Sequence, residues 1–166
     1  MFMYFTGGTE DYLKKFFADN PQETFALMHS DDVFMLAHET EGSSLFNEPK
    51  KYEVIDASGT LHVPSGFVVC NHIPVSDEGR PLFEYRFKNR ARLIEKEPGF
   101  LAIRVLRPLR YDTYMILTIW TGEAAYNQWK KSKSYSDAHS KGEFGAPNMF
   151  PRPSFATRYK IYEEDE

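Results

Sequence analysis

From residue 67 to residue 162 the chain changes between two hydrophobic periods in a fixed order, and that order constrains the fold more than any other feature. Residues 67–75 alternate as a strand does: Phe67, Val69, Asn71 and Ile73 fall on one face, and Val68, Cys70 and His72 on the other. Residues 81–96 then read as a helix, with Phe83, Phe87, Ala91 and Ile94 at helical steps and Pro98-Gly99 as the stop. Residues 100–106 and 114–120 read as strands joined by a hairpin around 108–112. A second helix is expected over 122–131 and a shorter helical segment over 135–141. The loop 142–153 and a last strand over 155–162 complete the series.

Strand, helix, strand, strand, helix, strand is the split βαβ order of a ferredoxin-like module, an antiparallel sheet with two helices on one face. The first half reads as a degenerate version of the same α+β plan. A strand at 2–6 is followed by Gly7-Gly8, a break, and by a helix that Thr9 can cap, with Tyr12, Leu13, Phe16 and Phe17 at helical spacing. Asn20-Pro21 ends that helix. Strands are expected at 24–28 and 33–38 around the turn Ser30-Asp31-Asp32, and another at 52–55. Residues 40–49 form a loop where the second helix of a complete module would stand. The Gly-, Ser- and Pro-bearing stretch 58–66 marks a boundary, so residues 1–62 form a degenerate N-terminal half and residues 63–166 a complete domain. Two such modules pack as a dimeric α/β barrel. Here both lie in one chain, as an intramolecular pseudo-dimer.

Charge divides at the same place. Residues 1–62 hold 4 lysines, no arginine and 11 acids, a net of −7; residues 63–166 hold 16 basic and 13 acidic side chains, a net of +3. The net charge of −4 over 166 residues argues against nonspecific nucleic-acid binding through a basic surface. One cysteine, Cys70, excludes an internal disulfide, and no apolar run approaches a membrane span. The N-terminus MFMYFTGG lacks the features of a signal peptide, so the expected compartment is the cytoplasm. No dinucleotide fingerprint, P-loop or clustered His/Cys metal motif is found.

Three stretches carry a family resemblance: GFVVCNHIPV (66–75), EPGFLAIRVLRPLRYDTYMILTIW (97–120) and AAYNQWKKSKSYSDAHSK (124–141). Together they resemble the IsdG-type haem-degrading monooxygenases of the antibiotic biosynthesis monooxygenase superfamily, in the long, HmoB-like form. The resemblance implies an Asn on the first strand, a Trp on the second helix and a His just beyond it, which here are Asn71, Trp129 and His139. It implies haem as both substrate and oxygen-activating centre, with no separate cofactor, and an external electron donor or reductase. His139 would be the axial ligand to haem iron, leaving the opposite face open to dioxygen. Trp129 would press the porphyrin out of plane. Asn71 would steady iron-bound oxygen or water. Short family members pair as homodimers; the acidic first half replaces that partner, so a monomer is expected.

Each residue also has a plainer reading. A histidine in the polar stretch SDAHSKGE is commonly a surface residue, and Trp129 serves equally as a core aromatic four positions after Ala125. Asn71 could bond backbone at a sheet irregularity, although an unpaired amide on an apolar face costs about 1–3 kcal/mol. On one straight helix Trp129 and His139 would lie roughly 15 Å and roughly 80° apart, so a helix break near Lys133-Ser134 is expected. Arg86, Arg90 and Arg92 are cation candidates for the haem propionates. Three other functions fit the same residues: a non-catalytic haem-binding or trafficking protein, a cofactor-free oxygenase of the same superfamily, and a purely structural module.

Overall fold

The computed structural model describes residues 1–88, 93–132 and 149–163. The strands are β1 (Phe2–Gly8), β2 (Thr24–Ser30), β3 (Val33–Thr40), β4 (Lys50–Ser58), β5 (Phe67–Pro74), β6 (Phe100–Pro108), β7 (Thr113–Trp120) and β8 (Phe155–Ile161). Three α-helices accompany them: α1 (Glu10–Asp19) after β1, α2 (Arg80–Lys88) after β5 and α3 (Glu123–Lys130) after β7. All pairings are antiparallel. The sheet closes on itself in the order β1-β3-β2-β8-β5-β7-β6-β4.

That circle contains one arrangement twice. Reading β4-β1-β3-β2 and then β8-β5-β7-β6 gives the same ferredoxin-like strand order in each half. Each half alone would leave two edge strands, and closure joins edge to edge. One seam is long: β4 pairs with β6 from Tyr52↔Pro108 to Ser58↔Ile103. The other is short: between β2 and β8 the paired positions are Met28↔Ile161 and His29↔Lys160.

The barrel is filled by inward side chains of both halves. Met3, Phe5, Met28 and Tyr52 pack with Val68, Cys70, Leu106, Leu117 and Ile119 in one cluster. Leu61, on the connection between the halves, is part of it. That connection, residues 59–66, therefore lies against the core, and it contains the boundary drawn at 62/63. Burial pushes the Cys70 thiol up to about 12, so it is a neutral core group. The connection begins with a tight approach: Gly59 has φ +76, and a Cβ there would lie 2.0 Å from the carbonyl oxygen of Leu101.

One ion pair lies among these inward-facing positions. Arg104 on β6, 4% exposed, donates from Nε to Glu39 Oε2 of β3 at 2.6 Å and from Nη1 to the carbonyls of Ser58 and Ile103. The pair links the halves through side chains. Its guanidinium tolerates burial because carboxylate and carbonyls satisfy it together.

Three expectations need correction. The Gly7-Gly8 pair does not break the first strand: both residues stay paired, with Met35 and Phe34. Thr9 caps the helix from just beyond, accepting from the Tyr12 N–H at 3.2 Å. A single helix over 81–96 is not seen either. α2 ends at Lys88 and residues 93–96 form a 3₁₀ turn; residues 89–92, which include Ala91, Arg90 and Arg92, lie outside the described residues. On one continuous helix Ile94 would face the same way as Phe83. Instead it packs against Phe67, Trp120 and Tyr126, a different cluster from that of Phe83. The fourth strand is also longer than the 52–55 expected, because its pairing with β6 continues past an irregularity between Val54 and Asp56.

Removing Glu39 alone should leave a buried guanidinium without its counter-charge. Glu39→Ala is expected to lower stability by about 3 kcal/mol. A Glu39→Met, Arg104→Met double variant should lose clearly less, and denaturant unfolding of the three proteins measures the difference.

Candidate functional site

The outward face of the second-half sheet carries the site. Because β5 alternates, Val68 and Cys70 enter the barrel, while Phe67 and Val69 face outward with the α3 cluster. Asn71 therefore lies outward, between Val69 and Ile73, opposite Ile116 of β7 and Ala156 of β8. Two apolar clusters flank it. On one side Phe67, Val69, Trp120 and Tyr126 pack with Phe100, Ala125 and Trp129. On the other, Val75, Phe83, Tyr114 and Met149 pack with Ile73 and Phe87. Asn71 and Ile116 are each partly exposed, so the sheet stays accessible between the clusters.

Trp129 is placed by a stack of constraints. α3 starts after Gly122 and ends at Lys130, and the Ser132 N–H and hydroxyl both donate to the Trp129 carbonyl. Its indole lies 5.4 Å from that of Trp120, centroid to centroid, with 31° between the planes. Tyr126 lies 6.0 Å from each indole. Trp120 is fully buried, and its Nε1–H donates to Thr118 Oγ1 at 3.0 Å, which fixes the ring behind Trp129. At the other end of α3, Gly99 has φ +84, and a Cβ on it would lie 2.5 Å from the Ala125 Cβ. The helix can approach the barrel this closely because that Cβ is missing.

The structure thus brings Asn71 and Trp129 to the same face of one sheet. His139 lies outside the described residues, as do the expected helix break at Lys133-Ser134, the segment 135–141 and most of the loop 142–153. The helix that carries Trp129 ends at Lys130, ahead of that expected break. Of the three arginines proposed as propionate partners, only Arg86 is described; it is half-buried on α2.

Two cations near the aromatic wall were not anticipated. The Arg158 guanidinium lies 5.8 Å from the centre of the Tyr126 ring, and Lys130 Nζ lies 5.3 Å from it. Arg158 is paired with Val69 across β5 and β8. The alternation of 155–162 contains that placement, but only the register shows which strand it faces. Trp120 was set aside as the end of a strand, and nothing in its sequence context marks it as the support of the second indole.

A polar network underlies α2. Arg107 reaches Glu84 through Nε at 2.9 Å and Glu53 through Nη1 at 2.8 Å. The Tyr114 hydroxyl donates to Glu84 and accepts from Arg80 Nε at 3.2 Å. The hydrogen bond from Arg107 holds the Glu84 carboxyl below the usual carboxylate range; burial and the adjacent carboxylate push the Tyr114 hydroxyl up to about 12. His72, on the opposite side of β5 from Asn71, stacks on Phe155 at 4.6 Å and bonds Thr157 Oγ1 at 2.9 Å; burial lowers its pKa. Among the described residues no group of three or more His, Cys, Asp or Glu is placed to hold a metal ion, and no helix is long and apolar enough to cross a membrane.

The corresponding outward face of the first half is closed. Tyr4, Leu13, Phe25, Leu27, Leu36 and Phe46 fill it. His38, 1% exposed, sits among these aromatics, with Nε2 at 3.1 Å from Glu23 Oε2. Phe46 comes from the loop 41–49 and occupies space that a second helix would otherwise cover.

Residues 66–141 match the family model of the antibiotic biosynthesis monooxygenases, so this stretch carries a domain of that class. A heme-degrading monooxygenase of Listeria monocytogenes is 27% identical over 130 residues, 78% of this chain and 77% of that protein. A signal transduction protein TRAP of Staphylococcus epidermidis is 25% identical over 169 aligned positions, 99% of both chains. Among solved structures, a major regulator of staphylococcal pathogenesis superposes with a TM-score of 0.83 at 23% identity, covering 99% of this chain and 100% of that one. That likeness establishes the fold. Antibiotic biosynthesis monooxygenase ancestry is therefore shared with proteins named as enzymes and with proteins named as regulators.

If Gly99 seats α3, Gly99→Ala should displace the helix and the indole it carries. The expected result is a loss of about 1–3 kcal/mol in stability and a changed near-UV circular dichroism band from the Trp120–Trp129 pair. An unchanged band would show that α3 is positioned by other contacts.

Proposed function

We propose that this protein is a haem-degrading monooxygenase. Haem binds on the outward face of the second half, and its ring is opened with dioxygen and electrons from an external donor or reductase. Iron and an open-chain tetrapyrrole leave. The observation that carries this reading is the placement of one amide, Asn71, on an otherwise apolar sheet face beside an indole, Trp129, that is backed by a second indole. A flat apolar ligand is matched by the aromatic wall, and a polar group at its centre by the amide. The enzyme-named relative, similar over about three quarters of each chain, supports the same reading.

In this reading each residue has one task. Trp129, braced by Trp120, presses on the porphyrin and makes a flat binding mode unfavourable. The Asn71 amide donates a hydrogen bond toward the oxygen side of the iron. His139 supplies the imidazole that holds the iron. Arg158 and Lys130 add positive charge at the wall, suited to an anionic porphyrin. Arg86, Arg90 and Arg92 remain candidates for the propionates. The first half, 1–62, has its own outward face filled and acts as a built-in partner sheet for 63–166. The protein works in the cytoplasm as a monomer.

The match over nearly the full length to a signal transduction protein favours a second reading, a haem-independent regulator. Haem titration followed by a reductant separates the two. The expected result is a Soret band on binding, then its loss with release of chelatable iron after ascorbate. Stable bound haem would mean a carrier, and no binding would favour the regulator or a cofactor-free oxygenase. His139→Ala should abolish or strongly shift the Soret band. Trp129→Phe should still bind haem but degrade it more slowly.

Mass measurement in solution tests the built-in partner. A monomer of 19.3 kDa is expected; an obligate dimer would count against it.

A further inference from the structure

The short seam between β2 and β8 leaves a recess on the side of the molecule that carries α1. Its volume is about 550 Å³, within the range of small-molecule pockets. Phe25, Leu27, Leu61 and Ile161 supply an apolar floor, and Phe17 and Val63 stand beside it. Phe17 is 41% exposed although its ring lies 5.8 Å from that of Phe25, so it forms a wall rather than part of a closed core. The rim is cationic. Asp11, Lys14, Lys15 and Ala18 share one face of α1 above the recess, and His62 approaches from the connection between the halves. Two lysines and a histidine thus stand against one carboxylate, in a half of the chain whose net charge is −7. Lys14 Nζ lies 5.3 Å from the centre of the Tyr162 ring, and the Tyr162 N–H donates to the Leu27 carbonyl at 2.8 Å, so the cation sits at the end of the seam.

We propose that this recess binds an apolar monoanion: a medium-chain carboxylate whose chain lies on the Leu27–Leu61–Ile161 floor and whose headgroup meets Lys14 and Lys15. Concentrated positive charge over an apolar floor disfavours cationic and zwitterionic ligands, and the concave shape suits a chain rather than a protein surface. The lining comes from α1, β2, the connection 61–63 and the end of β8, so an occupant contacts both halves where their pairing is shortest. Binding should raise the melting temperature because it draws on the folded barrel alone. The recess is lined by neither Asn71 nor Trp129 and stands independently of any haem chemistry.

Sodium dodecanoate, below its micelle concentration, is the probe. Calorimetric titration of the full chain should show one saturable site and a concentration-dependent rise in melting temperature. Lys14→Glu with Lys15→Glu should weaken binding at least tenfold, and Ala18→Trp should block it by filling the recess. Dodecyltrimethylammonium should not compete. Absence of saturable dodecanoate binding, equal binding of the cationic analogue, or retention of affinity in the charge-reversed variant would overturn the proposal. Displacement of dodecanoate by stoichiometric haem would also overturn it, by placing the ligand on the other face. Should the Ala18 variant fail to fold, the surface charge reversal decides alone.

Discussion

Closure of the sheet is the constraint on which the rest depends. A single ferredoxin-like sheet with helices on one face leaves its other face and two strand edges without partners. In this chain the unpartnered faces are apolar, and the edges meet as β4 against β6 and β2 against β8. Closing the circle therefore satisfies backbone pairing and apolar burial together. The Arg104–Glu39 pair is compatible with the same interior because each charge finds its partner in the opposite half.

Closure also turns the helix-bearing faces outward, and there the halves diverge. The first half fills its face with Tyr4, Phe25, Phe46 and the buried His38. The second holds two separate clusters, with Asn71 and Ile116 partly exposed between them. The charge division follows this difference: the acidic half supplies structure, and the arginine-bearing half supplies the face with the candidate chemistry. The glycine at 99 and the paired indoles show how closely α3 is seated.

Much of the fold was legible because local patterns and tertiary demands agree. The alternation around Asn71 placed it opposite Cys70, and the burial of Cys70 in the barrel follows that phase. The turn at Ser30-Asp31-Asp32 was readable from polar residues between strands, and Asp31 takes the positive φ such a turn requires. Where reading failed, a tertiary partner intervened. Gly7 and Gly8 have weak strand propensity, yet pairing with β3 keeps them extended. Ile94 fits the spine of a long helix, but it packs with the cluster under α3.

By itself the sequence determined the order of elements, the two-part charge distribution and the residue types available for a site. Those follow from periodicity and composition, which are local properties. The tertiary structure decided that the halves close one barrel, that Trp120 braces Trp129, that Arg158 stands by the aromatic wall, and that the short seam opens into a cation-rimmed recess. Each of these depends on register and on contacts between residues distant in sequence. Strand alternation fixes which face a side chain takes, but not which strand lies beside it.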